Sequence, residues 1–126
     1  MSYFSIEWMN PDGKTVDILV HEDFDFRSIG KGVHIGEYAK IGKYARIGEY
    51  AHIGEWAIIG EGARIRDGAI IGEWAIIGEG ARIRHGAIIG KCAIIGECAI
   101  IRKNSRIVHS KKIKPYAIIK SEEAKS

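Results

Sequence analysis

The stretch EWAIIGEGARIRDGAIIG, residues 55–72, is followed at once by EWAIIGEGARIRHGAIIG, residues 73–90, and the two copies differ only where Asp67 becomes His85. A unit written twice in succession points to a repeat architecture, which has to be settled before any helix or strand is assigned. Beyond the duplicated stretch, isoleucine stands at every sixth position from Ile29 to Ile119, sixteen times without a gap. Alanine stands four residues after it from Ala39 through Ala99, and glycine usually follows it, so the unit is I-G-x-x-A-x. Six residues make about 1.67 turns of an α-helix and would scatter the isoleucines around its axis. The triplet Ala-x-Ile has strand parity instead, with Ala57 and Ile59 on one side and Ile58 on the other. The glycine is expected to open a corner through its tolerance of positive φ.

This pattern, over residues 29–119, resembles that of the hexapeptide-repeat proteins that fold as left-handed parallel β-helices. The resemblance implies three hexads per triangular coil, which the eighteen-residue period supports separately. An all-β solenoid of about five coils stacked at ~4.8 Å follows, with isoleucine and alanine inside. Many members of that superfamily are acyltransferases using acyl-CoA or acyl-acyl-carrier-protein donors, some are carbonic anhydrases, and most act as trimers with sites between subunits. Those enzymes typically interrupt the hexads with loops, whereas this repeat has no interruption. A general base would have to come from His34, His52, His85 or His109, all on outward or corner positions. The H-x-x-x-x-H spacing of the zinc-binding relatives is missing, so no metal and no cofactor are expected. Thr15 is the sole threonine, which sets aside the threonine arrays of β-helical ice-binding proteins.

Taking every eighteenth residue turns the repeat into outer columns. Tyr38, Trp56, Trp74 and Cys92 form one, with Lys40, Ile58, Ile76, Ile94 and Lys112 two residues on, assigned to a first face. Its apolar centre, Tyr38, Trp56, Ile58, Trp74, Ile76, Cys92 and Ile94, is the expected oligomer interface. Coverage by residues 1–28 is the alternative. A second face pairs Tyr50, Gly68, Gly86 and Asn104 with His52, Ile70, Ile88 and Arg106, and reads as a packing surface. A third carries Arg46, Arg64 and Arg82, with Arg66, Arg84 and Arg102 two residues after each strand position, a possible anion site. Neutralisation by Glu61, Glu79, Glu97 and Asp67 is the expected fate of these arginines. Aromatic residues are not interleaved with them, so nucleic acid is not expected as a partner.

Residues 1–28 are acidic, with Lys14 and Arg27 against six carboxylates, and residues 29–119 basic, with fifteen Lys/Arg against eight Asp/Glu. The alternation of Ile6 and Trp8, then Val16, Ile18 and Val20, around N-P-D-G predicts a β-hairpin that caps the first coil. The division is therefore a cap over 1–28, the β-helix over 29–119 and a polar tail over 120–126. There is no leader-like segment or membrane span, and two cysteines, Cys92 and Cys98, make no disulfide framework, so a soluble cytoplasmic protein is expected. The expected role is structural: a homo-oligomeric scaffold, a trimer through the Trp/Ile face, with no catalytic residue and no chemistry of its own. A minimal acyltransferase with an intersubunit CoA-thioester site is the first alternative, and head-to-tail filament formation is the second.

Overall fold

A computed structural model describes residues 2–120. Strands β1 (Tyr3–Met9) and β2 (Thr15–His21) form the expected antiparallel hairpin, followed by a 3-10 turn at Phe26–Ser28. Fifteen two-residue strands then recur every six residues, from His34–Ile35 to Ile118–Ile119. They stack in parallel into three sheets, one per face of the prism. The first face runs Lys40, Ile58, Ile76, Ile94, Lys112; the second His34, His52, Ile70, Ile88, Arg106; the third Arg46, Arg64, Arg82, Ile100, Ile118. The chain is a left-handed parallel β-helix of five coils, with β2 adding a sixth rung to the first face.

Register follows from the hexad. Each coil hydrogen-bonds to the next, as where Ile58 N–H donates to the Ala75 carbonyl at 2.9 Å and Gly60 N–H to the Ile77 carbonyl at 2.7 Å. The isoleucine that ends each strand points inward and is buried from Ile35 through Ile113. The alanines Ala39 through Ala99 are fully enclosed at the corners. Each enclosed isoleucine contributes about 1.5–3 kcal/mol of burial, and the columns give no position at which the pairing can slip by one residue without exposing them.

The corners correct one expectation. Each is a four-residue turn such as Gly54-Glu55-Trp56-Ala57, closed by Ala57 N–H donating to the Gly54 carbonyl at 3.2 Å. Positive φ falls on its third residue, as at Trp56 (φ 62°) or Gly62 (φ 70°), and not on the glycine after isoleucine. That glycine is needed for closeness: a Cβ on Gly54 would lie 2.5 Å from Glu73 N in the next coil. Two of the three corner columns hold glycine here in every coil but the last described one, where Val108 and Lys114 stand with no further coil beneath them among the described residues. The third column carries Arg66 and Arg84 in the same place.

The hairpin closes the first coil by three different means. On the first face β2 continues the sheet, pairing Leu19 with Lys40. On the third face Ile29 bridges to Ile47. On the second face a side chain stands in for a strand: Asn10, 4% exposed, donates from Nδ2 to the Ile35 carbonyl at 2.9 Å and accepts from Ile35 N–H at 2.8 Å. Trp8 Nε1 donates to the same Oδ1 at 3.0 Å. A second copy stacked head to tail at this end would therefore meet β1, the edge strand of the first-face sheet, and not the first coil's own ladder. The polar tail expected over 120–126 lies, beyond Lys120, outside the described residues. No helix among the described residues is long and apolar enough to cross a membrane.

Candidate functional site

The aromatic column lies at the corner between the second and first faces, one step off the flat face to which the sequence assigned it. Tyr38, Trp56, Trp74 and Cys92 each occupy the left-handed turn position, with φ between 62° and 65°. That conformation costs an L-residue roughly 1–2 kcal/mol, and bulky side chains are rarely placed there. Here the rings stack: Trp56 and Trp74 are parallel within 5° at 5.0 Å between centroids, and Tyr38 lies 4.6 Å from Trp56. Trp56, Ile58, Trp74 and Ile76 remain 38–52% exposed, with Ile94 half-buried beside the exposed Cys92. The hairpin does not fold back over them. Its reach ends at Lys40, whose ammonium sits 4.3 Å from the Tyr3 ring centroid.

Beside this ladder, on the second face, is a groove of about 250 Å³ lined by Asn10, Asp12, His34, Glu37, His52 and Glu55 among others. The His34 and His52 rings stack at 4.4 Å with 11° between their planes. His34 Nδ1 is buried without a partner. Loss of hydration, and then the neighbouring His34 charge, hold the His52 pKa below its usual value. His52 thus binds its proton less readily in the folded chain than in the unfolded one. Stability is expected to be level above about pH 7 and to fall as the pH drops through and below about 6.5. Thermal midpoints measured across that range check the sign; His52→Gln should flatten the fall, and a midpoint that rises on acidification contradicts it.

The other candidate histidines are elsewhere. His85 sits at the corner between the third and second faces, 4.0 Å from the Asp67 carboxylate, and His109 is in the last coil at the corner between the second and first.

The arginines are placed as their columns predict, with Arg46, Arg64 and Arg82 in direct register on the third face and Arg66, Arg84 and Arg102 along its edge. The expected neutralisation is not made by direct ion pairs: among the described residues no carboxylate lies within 4.0 Å of any of the six. Asp67 is committed elsewhere, accepting from Glu49 N–H at 2.9 Å while its other oxygen faces His85. Arg46, Arg64 and Arg66 line a groove of about 810 Å³ together with Arg27 and Ser28 from the 3-10 turn and with the carboxylates of Asp25, Glu49 and Asp67, while Arg84 and Arg102 border a separate hollow of about 380 Å³. Arg27 is itself held by Asp25 through bonds of 3.1 and 3.0 Å. Histidine groove and arginine groove occupy different faces, so within one subunit they do not make a single site. Sequence reading missed Asn10 and Arg27; the N-P-D-G turn marked the place of the first but not its partner 25 residues on.

The sequence matches the family described as GMPPB C-terminal domain over residues 28–122. No curated protein sequence matches it significantly. Among solved structures, the acetyltransferase domain of PglB from Neisseria gonorrhoeae FA1090 superposes with a TM-score of 0.76 at 18% identity, over 82% of this chain and 49% of that one. PerB from Caulobacter crescentus, solved in complex with CoA and GDP-perosamine, gives a TM-score of 0.76 at 19% identity over 86% of this chain and 51% of that one. The chain thus spans about half the length of these structures, and at such identity the likeness is one of fold. Since the family match takes in the whole coiled region, the chain belongs to the GMPPB C-terminal domain family, with the fold of the hexapeptide-repeat left-handed β-helices.

Proposed function

We propose that the chain is an acyl-transfer module that acts as a homo-oligomer, with His52 as general base in a site completed by a second subunit. The observation that carries this reading is the adjacency of the histidine groove to the exposed aromatic ladder, since Glu37, Glu55 and Glu73 of the groove directly precede Tyr38, Trp56 and Trp74. A subunit docked on Tyr38, Trp56, Trp74, Ile58, Ile76 and Ile94 walls the groove's open side. Inside, the three carboxylates face the substrate amine, and partial loss of hydration lowers the His52 pKa from its usual value. The amine nitrogen attacks the thioester carbonyl, the C–S bond breaks, and His52 takes the ammonium proton and returns it to the departing thiolate. The PglB domain and PerB, both of this fold, support the reading: the first is described as an acetyltransferase and the second was solved with CoA.

The test is release of free CoA thiol from acetyl-CoA in the presence of a panel of primary amines. His52→Ala should lower the rate by roughly 10²–10⁴-fold and leave the sedimentation mass unchanged. Thiol release no faster than in buffer, across the panel, overturns the chemistry.

A second reading, the scaffold without chemistry, is favoured by the uninterrupted hexads, which leave no loop to cover a substrate. Both readings require the same interface, taken as that of a trimer. Trp56→Glu combined with Trp74→Glu should give a monomer in sedimentation, because two buried carboxylates cannot be matched across an apolar contact. An unchanged mass removes this face from the assembly.

A further inference from the structure

We propose that the third face binds a short linear chain of phosphate groups, laid along the prism axis between the Arg46–Arg64–Arg82 column and the Arg66–Arg84–Arg102 column. Like charges directly opposite in neighbouring strands destabilise a sheet, and here Arg46, Arg64 and Arg82 face one another in consecutive rungs. No carboxylate among the described residues lies within 4.0 Å of them: Asp25 and Asp67 are engaged by Arg27, by Glu49 N–H and by His85, and the Glu49 carboxylate, which lines the groove, stops short of an ion pair with them. The repulsion is therefore left for a ligand to relieve. Guanidinium groups suit phosphate because their planar forks donate in pairs to its oxygens.

Spacing decides between a single anion and a chain. Successive rungs are about 4.8 Å apart, so Arg46 and Arg82 are separated by roughly 10 Å, further than one tetrahedral anion reaches. The site also has ends. Beyond Arg82 the column turns to Ile100 and Ile118, and at the other end Asp23 and Asp25 stand beside the groove. A ligand with charge over about three rungs matches that length. The 810 Å³ groove holds the Arg46, Arg64 and Arg66 end of this surface without an aromatic ring in its lining, Tyr44 standing in the adjoining hollow beside Arg46, so the phosphates are what the arginines read. Such a chain comes from a nucleoside triphosphate or from inorganic polyphosphate.

Calorimetric titration of the full chain at low salt with tripolyphosphate, ATP and inorganic phosphate tests this. Tripolyphosphate should bind at least about tenfold more tightly than inorganic phosphate, and salt should weaken it steeply. ATP tighter than tripolyphosphate assigns the source to a nucleotide; the reverse order assigns it to the inorganic chain. Arg64→Gln with Arg66→Gln should weaken binding by about tenfold or more, while Arg106→Gln, on the second face, should leave it unchanged. His52→Ala should bind as the parent does, so this site and the acyl-transfer reading stand or fall separately. Equal affinity for tripolyphosphate and inorganic phosphate, or equal losses in the Arg106 and Arg64/Arg66 variants, overturns the proposal.

Discussion

Asn10→Ala should lower the stability of the fold by about 4 kcal/mol, as the sum of two buried backbone groups left without partners at roughly 1–3 kcal/mol each and a stranded indole N–H. Among the described residues the amide of Asn10 partners both Ile35 N–H and the Ile35 carbonyl on the outer side of the first coil, and its Oδ1 also takes the Trp8 indole proton. Water cannot easily replace it, because the residue is buried under the hairpin. Asn10→Asp should be nearly as harmful at neutral pH, since it keeps the acceptor, loses the donor and adds a buried charge. Urea unfolding midpoints read both effects. A loss below about 1 kcal/mol in both variants contradicts the role given to this side chain as a substitute strand.

Gly54→Ala is the second large effect, expected to cost about 3 kcal/mol or more. The added Cβ meets Glu73 N at 2.5 Å and Gly72 C at 2.7 Å, both backbone atoms of the coil below, so relief requires the two coils to separate along the second-to-first corner. Gly62→Ala is the internal control. It has left-handed φ but nothing within 4 Å of the added atom, so only the backbone term of roughly 1–2 kcal/mol applies. Gly62→Asn should cost less still, because the same turn position at another corner, Asn104, holds that residue at φ 60°. Thermal unfolding of the three variants should rank them in that order. If Gly62→Ala proves the more damaging, close approach is not what the glycine after isoleucine provides.

The contrast between these two glycines shows where the sequence was sufficient. A period of six names the buried residues, because burial in a stacked coil depends only on parity, and Ile35 through Ile113 are inside as the pattern requires. Turn conformation was assigned to the wrong glycine, because sequence alone does not separate a need for positive φ from a need for space. The aromatic and arginine columns were legible as columns, since in-register stacking repeats every eighteenth residue. Their chemistry was less so. Whether Asp67 neutralises arginine or serves Glu49 N–H depends on a side-chain direction that no spacing encodes. The stack of His34 on His52 could be placed, but not the groove that the hairpin's Asn10 and Asp12 help to line beside it. Asn10 itself was hidden because its partner comes from a different part of the chain.

The two ends of the prism are made differently from its middle, and this bears on how such a molecule changes length. Everything specific to the beginning, Asn10, β2 and Ile29, touches only the first coil or its immediate neighbour. In the two glycine columns a side chain follows the isoleucine only in the last described coil, at Val108 and Lys114. A coil copied into the interior, as residues 55–72 and 73–90 record, meets the same surface above and below as its template did. Length is therefore quantised in steps of about 4.8 Å, and each step extends every external ladder by one place. Repetition of a coil works as a ruler in this fold, setting how many arginines or how many indoles stand in line without renegotiating the interior.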